Sequence, residues 1–124
     1  MANYNTLMVT EKTFQVSDIA AFRKAFESLY SDMQIHEEAD GAIWIGGYDT
    51  SMTVRDEEDN EVDVAEIVQK HIKADDYAVI QTVGYEKLRY VTGAVYVIDK
   101  EKVRFESLHS VTAKLVDQIG MEED

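Results

Sequence analysis

Residues 77–99 read YAVIQTVGYEKLRYVTGAVYVID. Two runs rich in β-branched and aromatic residues, 77–83 and 88–98, flank the connection Gly84-Tyr85-Glu86-Lys87, a pattern that predicts an antiparallel hairpin. In the second run Leu88, Tyr90, Ala94, Tyr96 and Ile98 alternate with Val91, Gly93, Val95 and Val97. Both sets are largely apolar, so neither face suits water, and the run is expected to be a central strand covered on both sides.

On either side of this hairpin the hydrophobic period changes to that of a helix. Upstream, Asp63 is placed to cap a helix with Glu66 at its third position, as in a capping box, and Val64, Ile67, Val68, His71 and Ile72 form the inner stripe. Downstream, a turn at 99–102 leads to an edge-like strand at 103–108, where Val103 and Phe105 alternate with Arg104 and Glu106. Ser110 is then expected to cap a last helix with Val111, Leu115 and Ile119 inward and Gly120 just past its end.

The amino-terminal half shows strand and helix periods too, without an internal repeat. A strand at 6–16 precedes Ser17 as an N-cap, with Asp18 in the first turn, and Ile19, Phe22, Phe26, Leu29, Tyr30 and Met33 give a long amphipathic stripe. Segments 34–38 and 42–48 are joined by Ala39-Asp40-Gly41, a turn signal for a second hairpin. An extended piece at 51–55 runs into the polar loop RDEEDNE.

The expected order is therefore β-α-β-β-α-β-β-β-α, an α+β domain of mostly antiparallel sheet covered by helices. Its first six elements match the β-α-β-β-α-β of ferredoxin-like domains, with a hairpin arm and a helix appended. A chain of 124 residues fits one domain, residues 1–124, with Phe22, Phe26, Tyr90, Val95 and Val97 expected in its core.

Composition narrows the chemistry. The chain is 45% apolar and 30% charged, without proline, so a globular rather than a disordered state is expected. It has no cysteine, which excludes disulfides, thiolate nucleophiles and Cys-ligated metals. Neither a basic-then-apolar leader nor a run of 18 apolar residues occurs, so a cytoplasmic, non-membrane location is the default expectation. The net charge of −13 opposes direct binding to nucleic acid or an anionic membrane and favours a basic protein partner.

Motifs for catalysis are lacking. His36 and Glu38 sit two apart on one predicted strand, but a zinc site needs three or four ligands and the pattern supplies no others. His71 falls on a helical stripe, where packing explains it, and His109 has no partner motif. Counted from Asp56, the acidic run places Glu61 where an EF-hand needs glycine and Ile67 where it needs glutamate. Gly46-Gly47 lacks the spacing and the lysine of a P-loop, and no nucleophile elbow or dinucleotide fingerprint occurs. No catalytic residue, metal or cofactor is assigned.

The charge itself is unevenly placed. Residues 31–63 hold eleven acidic residues against the single Arg55, or −10 of the −13. If the second hairpin and the following loop share one exposed region, Glu37, Glu38, Asp40, Asp49, Asp56, Glu57, Glu58, Asp59 and Glu61 would project a negative potential over about 10 Å at 0.1 M salt. A small acidic chain without a catalytic motif is similar in composition to the inhibitors, anti-restriction and anti-CRISPR proteins among them, by which phages and plasmids occupy nucleic-acid-binding surfaces of host defence proteins. That resemblance implies a protein-binding inhibitor that mimics nucleic acid, aimed at the basic surface of a nucleic-acid-binding protein. The alternative is a small-molecule-binding or enzymatic domain whose pocket is lined by Trp44, Tyr48, Tyr77, Tyr90 and Tyr96. The strand edge near 103–108 also offers a route to a homodimer.

Overall fold

A computed structural model describes residues 4–88 and 90–120. In chain order the elements are β1 (Tyr4–Thr10), α1 (Ile19–Glu27), β2 (Leu29–Tyr30), β3 (Gln34–Glu37), β4 (Ile43–Tyr48), β5 (Thr53–Asp56), β6 (Glu61–Asp63), α2 (Val64–His71), β7 (Ala78–Glu86), β8 (Tyr90–Ile98), β9 (Val103–Ser107) and α3 (Leu108–Gln118). Six strands form one sheet in the order β3-β4-β1-β7-β8-β9, with every pairing antiparallel, and β2-β5-β6 form a second, small sheet. The protein is α+β, as its periodicities predict.

The large sheet is built from two interlocked units. β1 and β3, joined through α1, flank β4, while β4 and β7, joined through α2, flank β1. This split β-α-β arrangement is that of ferredoxin-like domains, and β8, β9 and α3 extend it beyond β7. The hairpin that decides the fold is longer than the sequence suggests. Gly84 to Glu86 stay in the ladder, with Glu86 opposite Tyr90, and the turn begins at Lys87, whose φ is 47°.

Three local expectations are corrected. Asp18, not Ser17, caps α1, its Oδ1 accepting from the N–H groups of Ala20 and Ala21 at 3.0 and 3.2 Å. Ser17 sits at a bend, where its N–H donates to His71 O beside the Val16–Ile72 bridge. The helix also stops at Glu27, although the apolar stripe continues. Leu29 and Tyr30 pair with Asp56 and Arg55 instead, so tertiary strand pairing overrides a helical period. Finally, Ser107 rather than Ser110 caps α3, accepting from Ser110 N at 3.0 Å.

The core lies between the large sheet and the layer of α1 and α2. Met8, Phe14, Phe22, Ile43, Ile45, Ile72, Ile80 and Ile98 are fully buried, and Phe22 stands at the centre, edge-on to Phe14, Phe26 and His71. The expected core needs revision beyond Phe22. Phe26 packs at its margin, Val95 and Val97 are half-buried, and Tyr90 is 47% exposed. For the two valines the cause is the alternation along β8. Tyr96 and Ile98 point to the helices, whereas Val91, Val95 and Val97 occupy the other face, which α3 fails to close. The expectation of a strand covered on both sides is therefore not met, and Val91 is 56% exposed.

Asp76 ties the chain ends of this core together. Its Oδ2 accepts from Gln15 N at 2.8 Å, and its Oδ1 accepts from Tyr77 N at 2.8 Å and Lys12 Nζ at 3.2 Å. Burial pushes its carboxyl up, but these donors outweigh that and hold it below the ordinary value of 3.8. A carboxyl depressed in the folded state stabilises above its unfolded value and loses that contribution as pH falls through the folded one. Asp76→Ala should thus cost about 2 kcal/mol at pH 7, on the scale of hydrogen bonds to a charged group. Urea titrations should show that difference shrinking below pH 3.8; a constant difference down to acid pH would remove the carboxylate as its source.

Gly47 marks a second constraint, where the segment entering β3 crosses β4. A Cβ there would lie 2.9 Å from Asp32 O and 3.1 Å from Met33 Cα, both backbone atoms that must shift together. Gly47→Ala should destabilise by about 1–3 kcal/mol, readable as a lower thermal midpoint.

Candidate functional site

The acidic segment resolves into separate structures, and the β5–β6 hairpin is the most organised of them. Asp56 ends β5 and turns its carboxylate inward on the loop. Oδ1 accepts from the N–H groups of Glu58 and Asn60, both at 2.9 Å, and Oδ2 accepts from Asn60 Nδ2 at 3.3 Å. The backbone closes the same turn, with Asp56 N donating to Asn60 O at 3.1 Å and Asp59 N to Asp56 O at 3.0 Å. These donors, the Asn60 N–H foremost, hold the Asp56 carboxyl below its usual range. Asp59 takes the left-handed φ of 62°, and Arg55 Nη1 donates to its carbonyl at 3.1 Å.

Sequence reasoning treats residues 55–61 as a solvated loop and so misses β6. The signal lies in an Asx-type pattern, an Asp whose side chain replaces the missing backbone acceptors for the residues two and four ahead. The consequence is a division of labour among like residues. Asp56 fixes the turn, and Glu57, Glu58, Asp59 and Glu61 are displayed in solvent.

The other acidic residues stand elsewhere. Glu38 and Asp40 belong to the β3–β4 turn, where Gly41 has φ 87° and Asp40 Oδ1 accepts from Ala42 N at 3.0 Å. Glu37 lies 3.8 Å from Arg23 Nη2. Asp49 follows the opposite end of β4, about 20 Å along the strand from that turn at roughly 3.3 Å per residue. The structure therefore gathers residues 57–61 into one hairpin of the small sheet. It sets Glu37, Glu38 and Asp40 on the large sheet, with Asp49 at the far end of β4.

The histidines have structural roles or open surroundings. His36 stacks on Trp44 with ring centres 3.9 Å apart, and its Nε2 lies 3.0 Å from Gln34 Oε1. His71 packs on Phe22, and burial pushes its pKa down. His109 lies exposed in the first turn of α3. Among the described residues no group of three His, Asp or Glu side chains comes together to hold a metal ion. None of the described helices is long and apolar enough to cross a membrane.

Measured against families of known proteins, curated proteins and solved structures, the chain matches none. Its chemistry must therefore be read from its own surfaces.

Among the pockets of the described residues, the five aromatics expected to line one fall in separate depressions. Trp44 and Tyr48 border one depression, Tyr90 another, Tyr77 a third, and Tyr96 a fourth. The pocket at Tyr96, about 230 Å³, is mostly hydroxyl-lined, by Thr6, Thr50, Ser51, Thr82 and Thr92. Burial, and then the charge of Asp63, push the Tyr96 pKa up, so its hydroxyl keeps its proton at neutral pH. These hydroxyls come from four separated segments, and no local spacing announces them.

Proposed function

We propose that this chain is an acidic protein-binding module that uses the β5–β6 hairpin to occupy a basic, nucleic-acid-binding surface of another protein. In this reading it is an inhibitor of the nucleic-acid-mimic kind, as in anti-defence proteins, and not an enzyme. The observation that carries the reading is the Asp56-locked turn, which orders the backbone that carries four neighbouring exposed carboxylates. An ordered loop loses little conformational freedom on docking, so more of the electrostatic attraction survives as affinity. The net charge of −13 adds long-range attraction for a cationic surface and repels nucleic acid itself. Capture from cell lysate at about 0.1 M and about 1 M salt tests this, because screening shortens to about 3 Å at the higher value. Recovery of one basic nucleic-acid-binding protein, lost at high salt, is the expected result; recovery insensitive to salt would count against it.

A second reading rests on the hydroxyl-lined pocket beside Tyr96, which suits a small, neutral, hydrogen-bonding ligand. Mass spectrometry of the protein before and after unfolding tests it. A retained neutral molecule, released on unfolding and lost in Thr82→Val, would favour this reading.

A further inference from the structure

The large sheet has two faces, and only one carries the core. The register places Trp44 and Gly46 of β4, Leu7 and Val9 of β1, Val83 of β7 and Val95 of β8 together on the other. Within the strands from β3 to β8, none of the described residues on this face is Asp, Glu, Lys or Arg, in a chain that is 30% charged. The face is also open. Tyr48 is 77% exposed and Val91 56%, although aromatic and β-branched strand residues ordinarily pack against another layer.

Among the described residues charges return at the margins, at Glu11 just past β1 and along β9, and those on β9 are engaged. Arg104 on β9 donates to Asp99 Oδ2 at 3.1 Å, and Glu106 accepts from Lys114 and Ser110 of α3. α3 stands on this same side, with Leu108 near Gly93, but it buries no residue of its own. Leu115 and Ile119 of α3 are 56% and 67% exposed.

We propose that this face is the interface of a homodimer, in which two copies pack sheet on sheet. The occupant follows from charge and area. A chain of net charge −13 repels its own copy over most orientations, and the uncharged face lets two copies meet without opposing carboxylates. Five strands about 4.8 Å apart and about 20 Å long give roughly 500 Å² per copy, so two copies bury about 1,000 Å² before α3 is added. That reaches the minimum of about 1,000 Å² for a biological interface, and the contribution of α3 carries it toward about 1,200 Å², where stable ones begin. Twofold packing near −30° also matches the twist of two such sheets. This proposal stands independently of the acidic hairpin, which belongs to the small sheet.

Sedimentation equilibrium of the full chain tests it, with Gln81→Glu/Val91→Glu as the variant and Ala20→Glu on α1 as the control. Gln81 and Val91 are exposed face positions, so the double variant should keep wild-type circular dichroism while placing carboxylates against carboxylates across the twofold. The expected result is a dimer mass for wild type and control at about 10 µM, with the double variant weakened at least 100-fold to monomer. Hydrogen exchange should then show the strand amides of β1, β7 and β8 exchanging faster in that variant. A monomeric wild type overturns the proposal, including one whose face binds an apolar dye and so awaits a different partner. A double variant that dimerises as wild type does overturns it equally. So does a dimer whose protection maps to the β9 edge.

Discussion

Phe22→Ala is expected to lower the unfolding free energy by about 3–5 kcal/mol, a large part of the about 5–15 kcal/mol that typically holds a domain folded. Phe22 is completely buried, and its ring meets Phe14 at 6.2 Å, Phe26 at 5.1 Å and His71 at 5.7 Å, all edge-on. It is thus the contact that joins the strand-linking segment, α1 and α2. Truncation removes the apolar area and leaves a cavity whose walls belong to three elements, so collapse to fill it is hindered. Urea denaturation should show the full loss for Phe22→Ala and a smaller one for Phe26→Ala, since Phe26 packs only at the margin. Equal losses would mean that the two rings share the core evenly.

The second large effect is on binding. Reversing Glu57 and Glu58 to lysine shifts the balance of residues 31–63 from −10 to −6. It spares Asp56, Asp59 and Asn60, the residues that hold the turn. Both side chains are exposed, so folding stability should stay within about 0.5 kcal/mol, as is usual for surface positions. Affinity for a basic partner should fall at least tenfold, about 1.4 kcal/mol, because two attractions become two repulsions. Titration by fluorescence anisotropy would read this, and unchanged affinity would remove the hairpin from the interface.

The element order of the large sheet was legible because its strands and helices keep clean periods. Val79, Val83, Val95 and Val97 mark β structure, and Asp63 and Glu66 mark the start of α2. The small sheet was not legible. Leu29 and Tyr30 fall on helical spacing, and only their pairing with Asp56 and Arg55, far along the chain, makes them strand. The burial of β8 is not legible for a related reason. An apolar alternation says that a face wants cover, but it cannot say whether the cover comes from the same chain, and Val91 shows that it does not. In the acidic segment the residues themselves were legible, while their grouping depended on which strands carry them.

Competition between this protein and nucleic acid for a captured basic partner tests the functional reading most directly. With a labelled oligonucleotide bound to that partner, the account predicts that added protein releases it stoichiometrically, and that the Glu57→Lys/Glu58→Lys variant fails to do so at the same concentration. A stable ternary complex of partner, oligonucleotide and this protein would contradict it.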